Sequence, residues 1–157
     1  MTAHDFKHTM KALRDFGKFI VTTYKSQLEA EHMNNGELYS TIKYSVSTDN
    51  SGWVISVSLA DYWKYIEYGR RPGKMPPLDV IEKWIDVKQI KPHSMTLKSG
   101  KTVIPTIPQL PFLIARSIGR RGIAPKPLFK KSFEAAKQQF MQVIEDAIVQ
   151  DIKESLG

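Results

Sequence analysis

Residues 65–77 read YIEYGRRPGKMPP, and residues 117–129 read SIGRRGIAPKPLF. In both stretches an apolar segment runs into glycine, then Arg-Arg, then a proline-rich exit. Glycine tolerates the left-handed conformation that commonly ends a helix, and proline cannot continue one. The two stretches therefore predict two short apolar helices, over 60–69 and 109–119, that end at Gly69 and Gly119. A basic loop constrained by proline is expected to follow each of these two helices.

A β-hairpin is predicted just before the first of these stretches. The segments IKYSVST (42–48) and WVISVSL (53–59) place an apolar side chain at every second position, starting at Ile42 and Trp53. This period of two is typical of strands that bury one face. The connecting residues DNSG (49–52) have the composition of a tight turn.

Long amphipathic helices are predicted near both ends. Over residues 4–32, apolar side chains recur in steps of three and four, with Thr2 and Asp5 placed to cap the helix and NNG (34–36) placed to end it. The last helix is expected from about 128 to 155. Its predicted buried stripe consists of Phe129, Phe133, Ala136, Phe140, Ile144, Ile148 and Ile152.

The central part of the chain predicts a further helix and a small hairpin. The helix covers 77–90, with proline at its start and Asp79 in its first turn. The hairpin covers 95–105, turns at Ser99-Gly100, and has a basic tip that projects. Together these elements predict an α+β fold, in which an antiparallel sheet of three to five strands packs against the N- and C-terminal helices. We expect one domain over residues 1–157, with a projecting insertion at about 91–108.

The composition sets limits on the function. The chain has 157 residues, of which 41% are apolar, so it can bury a core. It has no cysteine, which excludes disulfides and Cys-ligated zinc. The first residues lack the apolar core of a signal peptide, and no apolar run reaches the roughly 20 residues of a membrane span. We expect no membrane association.

Positive charge is concentrated in the central part of the sequence. Residues 64–131 contain 15 Lys/Arg and 4 Asp/Glu, a net charge of +11, whereas the remaining residues carry −4. Such asymmetry indicates a surface that meets an anion, either nucleic acid or an acidic protein. The alternative interpretation is a solvated basic face that only confers solubility.

Residue patterns for catalysis are weak. His4 and His8 are spaced to share one helix face, but the sequence shows no third metal ligand near them. Glu82 and Asp86 fit a solvated helix face better than an acid–base pair. Motifs for a nucleophile elbow, a phosphate loop or a dinucleotide site do not occur. We therefore predict no enzymatic activity, no cofactor and no metal.

Docking and polyanion binding are the better supported interpretations. Trp63 and Ile66 are expected in the core, whereas Tyr65 and Tyr68 are left open between packing and base stacking. Prolines limit the entropy that a loop loses on binding, and arginine makes planar contacts with carboxylates and phosphates. The predicted docking residues are Tyr65, Tyr68, Gly69, Arg70, Arg71, Pro72, Arg120, Arg121, Pro125 and Pro127. The residues predicted to face DNA or an acidic partner are Lys74, Lys98, Lys101, Lys126, Lys130 and Lys131.

The order of these segments resembles a known family. A hairpin is followed by YWKYIEYG (62–69), a basic proline-containing loop, GIAPKPLF (122–129) and a closing helix. This order is similar to that of the small head–tail joining, or tail-completion, proteins of tailed bacteriophages. The likeness extends from about Gly36 to Ile152 and includes the leading helix. Residues 78–108 are longer than in many relatives, and Pro-Leu-Phe replaces the usual Pro-Phe-Leu at 127–129.

The resemblance implies a structural virion protein of the neck or upper tail, assembled in the bacterial cytoplasm. It would form a six-fold or twelve-fold ring with itself, contact portal, neck or tail-tube proteins, and surround the channel that DNA crosses. On this reading one Gly-Arg-Arg loop faces a neighbouring subunit and the other faces the lumen or the adjoining ring. The alternative function is nucleic-acid binding through the basic region 64–131.

Overall fold

The computed structural model describes residues 6–49 and 52–157. Helices account for 60% of the structure, and the strands form two small antiparallel hairpins, so the fold is mixed α+β. The contacts divide the chain into two compact units. Unit 1 combines the residues up to Glu67 with Pro127–Gly157, and unit 2 is Tyr68–Lys126. The expected cap residues Thr2 and Asp5 lie outside the described residues, as do Asn50 and Ser51 of the predicted turn.

Two long helices form the frame of unit 1. Helix α1 spans Lys7–Ala30 and helix α6 spans Leu128–Leu156. They are antiparallel, because Gln27 near the end of α1 donates to Ser132 Oγ at the start of α6 (2.8 Å), whereas Thr9 meets Asp151 at the other end. Both predicted helices are therefore confirmed.

The buried face of α6 differs from the predicted stripe. Ala136 is fully buried, and Phe140 and Ile144 pack against the core, as expected. Phe133 and Ile152 are 40% and 42% exposed, so their assignment to the core was wrong. Small or polar residues line the contact with α1 instead, because their size lets two helix backbones approach closely. These residues are Ser132, Ala136, Ala147 and Asp151.

A hairpin and a short helix complete unit 1. Strand β1 (Lys43–Asp49) pairs with β2 (Gly52–Ser58) from Lys43↔Ser58 to Asp49↔Gly52. The predicted hairpin is confirmed. Its half-buried residues include Ile55 and Val57, which pack on the Phe16–Ile20 face of α1. Helix α2 (Glu37–Thr41), which was not predicted, buries Leu38 beside Tyr24 and Leu28.

Helix α1 ends before the predicted NNG signal. Its last residue is Ala30, and His32 takes up the left-handed conformation (φ 56°). The N–H of Met33 then bonds to Leu28 O at 2.7 Å. Histidine is among the non-glycine residues that are enriched in this conformation. The Asn-Asn-Gly sequence instead leads into α2, for which Gly36 is the N-cap.

Unit 2 contains helix α4 (Leu78–Lys88), strands β3 (Met95–Thr96) and β4 (Thr102–Val103), and helix α5 (Leu110–Arg121). The helix and hairpin predicted for 77–105 are confirmed, with Gly100 at the turn (φ 81°). A small core of Ile81, Ile85, Leu110 and Ala115 joins α4 to α5.

The predicted sheet of three to five strands does not form. Each described hairpin remains a separate two-stranded sheet. In unit 1, β1 and β2 pack on α1, and the residues after β2 turn into helix α3 (Trp63–Glu67) rather than another strand. No helix of the described residues is long and apolar enough to cross a membrane.

Candidate docking site

The two Gly-Arg-Arg segments are bonded to each other in unit 2. Arg70 and Ile123 form an antiparallel bridge, with Arg70 N–H donating to Ile123 O at 2.9 Å and Ile123 N–H donating to Arg70 O at 2.7 Å. Gly73 N–H donates to Gly119 O at 2.7 Å. We call the paired segments Gly69–Gly73 and Gly119–Ile123 the Gly–Arg bridge. The repeated motif therefore forms one structural element, and not two independent loops.

Glycine is required on both sides of this bridge. Gly69 and Gly122 have positive φ values of 68° and 73°. A Cβ atom at Gly69 would overlap the carbonyl oxygen of Ile123, and one at Gly122 would overlap the carbonyl oxygen of Arg70. Since these two oxygens accept the bridge hydrogen bonds, any side chain at either glycine pushes the two segments apart.

The prediction that Gly119 ends its helix is wrong. Helix α5 continues to Arg121, and Gly122 is its C-cap. Gly119 is buried inside the helix, where a Cβ would come within 2.8 Å of Met75 Cγ. Glycine at 119 allows α5 to approach the loop at 73–75 closely. The two copies of the motif thus differ, because Arg70 and Arg71 follow their helix whereas Arg120 and Arg121 form the last turn of α5.

The Gly–Arg bridge concentrates positive charge. Arg71, Arg120 and Arg121 are exposed and Arg70 is half-buried, with its Nη2 donating to Lys74 O at 3.0 Å. Unit 2 contains 12 Lys/Arg and 3 Asp/Glu, a net charge of +9, and all three acids lie on α4. Arg120 and Arg121 also stabilise the negative end of the α5 dipole, which is their purely structural role. Four guanidinium groups on two bonded segments favour an anionic partner.

An apolar groove opens between the β3–β4 hairpin and the start of α5. Its volume is about 630 Å³. The side chains that line it include Met95, Leu97, Val103, Ile104, Phe112 and Leu113. Ile104 is 69% exposed and Phe112 is 47% exposed, so large apolar groups face solvent here. The hairpin that forms one wall also carries Lys98 and Lys101, both exposed.

Helix α4 presents a second apolar surface. Val80, Trp84 and Val87 are 53%, 45% and 50% exposed. They follow helical spacing, and they lie away from Ile81 and Ile85, which face the core of unit 2. This helix is therefore apolar on two faces, one of which is buried while the other stays about half exposed among the described residues.

The other predicted site residues are spread over both units. In unit 2, Tyr68 is 73% exposed. Pro72, within the Gly–Arg bridge, and Pro125, two residues after it, are also exposed. Lys126 ends unit 2 and is partly buried. Tyr65, Pro127, Lys130 and Lys131 belong to unit 1, where Tyr65 is 44% exposed and lies beneath the Lys64 ammonium group.

Two residues in the segment 60–69 cap helices, a role that their sequence pattern did not predict. Glu67 is 5% exposed, and its oxygens accept the N–H groups of Phe129 and Lys130, each at 2.9 Å. It therefore caps the N-terminus of α6 from α3. Tyr62 Oη accepts Leu38 N–H at 2.7 Å and so caps α2. As predicted, Trp63 and Ile66 pack against the core of unit 1.

One signal could have revealed the role of Glu67. Helix α6 starts after Pro127, which provides no side-chain cap. The first N–H groups of a helix need acceptors from elsewhere when the preceding residue offers none. A carboxylate inside a segment that otherwise packs in the core is an obvious source of such acceptors.

Three residues near the α1–α6 contact could together hold a metal ion. One ligand atom each of His8, Asp151 and Glu154 lies within 4.8 Å of the others. However, Asp151 already accepts the N–H groups of His8 (3.1 Å) and Thr9 (2.7 Å), and the Lys7 ammonium lies 2.9 Å from Glu154. The positive end of the α1 dipole and Lys7 both oppose a cation. The arrangement fits a capped helix end.

The Asp151 cap makes the fold sensitive to acid. Burial alone would raise the pKa of Asp151, but the N–H groups of Thr9 and His8 outweigh it and lower the pKa. A carboxyl whose pKa falls on folding stabilises the protein above its unfolded pKa of about 3.9, and this contribution is lost as pH falls through the lower folded-state value.

We expect Asp151→Asn to lower the free energy of unfolding by about 1–2 kcal/mol at pH 7, as for a lost helix cap. The difference from the unchanged protein should begin to shrink as pH falls below about 4, where the unfolded-state carboxyl takes up a proton, and it should disappear once pH lies below the lowered native pKa. Urea titrations between pH 7 and pH 2.5 measure this. Asp146→Asn, at an exposed carboxyl of the same helix, is the control. A difference that stays constant over this pH range would contradict the assignment.

Comparisons with known protein families, with curated proteins and with solved structures find no match for this chain.

Proposed function

We propose that this chain is a structural virion protein that forms a ring in the neck or upper tail of a tailed bacteriophage. The ring joins the portal side of the head to the tail and surrounds the DNA channel. Its partners are other copies of itself and the adjoining portal, neck or tail-tube proteins. It assembles in the bacterial cytoplasm, carries out no reaction and uses no cofactor.

The observation that carries this proposal is the exposure of large apolar side chains in unit 2. Within the described residues, twelve such side chains lie exposed between Tyr68 and Ile123. Apolar patches of this kind mark interaction surfaces when they are contiguous. A ring needs two different surfaces on each subunit, because each subunit contacts its neighbours head to tail. The groove is one candidate for such a contact, and the outer face of α4 is a further surface that an adjoining protein could cover.

The order of motifs supports the particular setting in a phage. The segment YWKYIEYG and the segment GIAPKPLF are the ones that resemble head–tail joining proteins. Both segments contribute to the structure. Glu67 of the first segment caps α6, and Gly69 of the first segment and Gly122 of the second lie in the Gly–Arg bridge. Because the bridge joins both Arg-Arg pairs, we propose that they act as one docking element toward an acidic partner.

Electron microscopy of the purified protein tests the proposal. We expect closed rings with a central channel at micromolar to millimolar concentration. A rigid head-to-tail contact whose rotation does not close would give filaments instead. In the same images, monomers at every concentration would contradict the ring.

The double substitution Arg70→Ala with Arg71→Ala tests the docking element. It should leave the helix content unchanged and impair joining to the partner ring.

Nucleic-acid binding is the second candidate, and the four arginines of the Gly–Arg bridge favour it. Affinity for duplex DNA should then fall steeply with salt, with a slope of about −0.9 per phosphate contacted. The double substitution Arg120→Ala with Arg121→Ala should make the slope less steep, by the amount that corresponds to at most about two phosphate contacts. Lys18→Ala with Lys137→Ala, at exposed positions of unit 1, is the matched control. Equal slopes in all three proteins would exclude the bridge as a phosphate site.

A further inference from the structure

Helix α6 carries an exposed apolar stripe with a regular spacing. Val149, Ile152 and Leu156 lie at positions i, i+3 and i+7, and they are 48%, 42% and 82% exposed. This spacing is the one by which an amphipathic helix places anchors in an apolar groove. Glu145 lies one turn before Val149 on the same face and is also exposed.

The surroundings of this stripe and of the groove in unit 2 differ in charge. Residues 141–157 contain four acids and one lysine. Asp151 is buried as the cap of α1 and Glu154 pairs with Lys7, so the exposed acids left for a partner are Glu145 and Asp146. The groove lies in a unit with a net charge of +9, and Lys98 and Lys101 lie on the hairpin that forms its wall. Two grooves would repel each other because both are basic, whereas the exposed carboxylate of Glu145, on the same face as the stripe, is attracted to the lysines beside the groove.

We propose that the Val149–Leu156 stripe of one copy occupies the apolar groove of unit 2 in the next copy. Ile152 and Leu156 enter between Ile104 and Phe112, and Glu145 pairs with Lys98 or Lys101. The contact is heterologous, since two different surfaces meet, so every subunit can bind two neighbours. This inference rests on the proposed function, and it specifies which surfaces build the ring.

Two variants each remove one side of the contact. Ile152→Lys with Leu156→Lys places two positive charges on the stripe, and Ile104→Asp places a charge in the groove. The controls are Gln139→Lys with Gln150→Lys on exposed α6 positions, and Ile107→Asp. Ile107 is 70% exposed and is not among the groove residues, whereas Ile104 is 69% exposed and lines the groove. Sedimentation should show association at least tenfold weaker for both variants and unchanged for both controls.

Mixing the two variants distinguishes this contact from a general loss of assembly. Alone, each variant should stay monomeric at concentrations where the unchanged protein assembles, but together the two variants retain one intact stripe and one intact groove. We expect a 1:1 dimer of twice 17.9 kDa that grows no further. If Ile104→Asp alters the circular dichroism spectrum, Lys98→Glu with Lys101→Glu replaces it as the groove variant.

The remaining outcomes separate this inference from the proposed function. Suppose that the unchanged protein forms rings. If the variants then still assemble, or if their mixture stays monomeric, the stripe–groove contact is wrong but the ring is not. An unchanged protein that stays monomeric up to millimolar concentration overturns both. In that case another protein occupies the groove.

Discussion

Gly122→Ala is expected to unfold or severely weaken unit 2, with a loss of about 2–5 kcal/mol in its stability. The left-handed backbone of Gly122 (φ 73°) alone costs an alanine about 1–2 kcal/mol. The added Cβ would also overlap Arg70 O, which accepts a bridge hydrogen bond, and overpacking of this kind typically costs a further 1–3 kcal/mol. The small core of unit 2 has little stability to offset such a loss.

Gly100→Ala is the matched control for this experiment. Gly100 also has a positive φ, 81°, but nothing lies within 4 Å of the position of its Cβ. The Gly100→Ala variant should therefore lose only the stability that the left-handed backbone costs an alanine, about 1–2 kcal/mol. Native-state hydrogen exchange of the amides in 68–126 measures both changes against those of unit 1. Equal losses for the two variants would show that the Gly–Arg bridge does not hold unit 2 together.

Glu67→Ala is expected to cost unit 1 about 2–4 kcal/mol. Both carboxylate oxygens of Glu67 bond to N–H groups at the start of α6, and the side chain is 5% exposed. Its removal leaves two part-buried N–H donors without this acceptor. Hydrogen bonds to charged groups contribute about 1.5–3 kcal/mol each, and partial access of water to the two donors reduces their combined loss to about 2–4 kcal/mol. Chemical denaturation followed by circular dichroism measures the loss.

Two further substitutions show whether the cap causes this loss. Glu67→Gln keeps one acceptor oxygen and should lose roughly half as much as Glu67→Ala. Glu82→Ala, at an exposed carboxyl on α4, should change stability by less than about 0.5 kcal/mol. If Glu67→Gln and Glu67→Ala are as stable as the unchanged protein, Glu67 does not cap α6.

The long, periodic elements could be predicted from the sequence. Helices α1 and α6, the hairpin around 49–52 and helix α4 are determined by local patterns, because the period of their apolar residues matches one secondary structure. The end of α5 could not be predicted in this way. Both Gly119 and Gly122 are acceptable helix ends, and only the approach of α5 to Met75 and of Gly122 to Arg70 decides between them.

The candidate site was predicted only in part. The basic residues were visible from charge alone, but the bond between the two Gly-Arg-Arg segments joins residues about 50 positions apart. Local patterns carry no information on such pairing. The groove was not predicted for a related reason, because Ile104 follows β4 whereas Phe112 lies in α5, and neither belongs to a conspicuous motif. The roles of Glu67 and Asp151 likewise depend on helix ends distant in sequence.

Ring formation by this chain is most directly tested by its mass in solution. Sedimentation should be measured over a wide range of protein concentration, at low and at high salt. We predict a closed species at six or twelve times 17.9 kDa that persists at high salt, because salt screens interactions between charges and does not weaken apolar contacts. A monomer at every concentration and salt, which binds duplex DNA at low salt and releases it at high salt, would contradict the ring and favour the nucleic-acid binder.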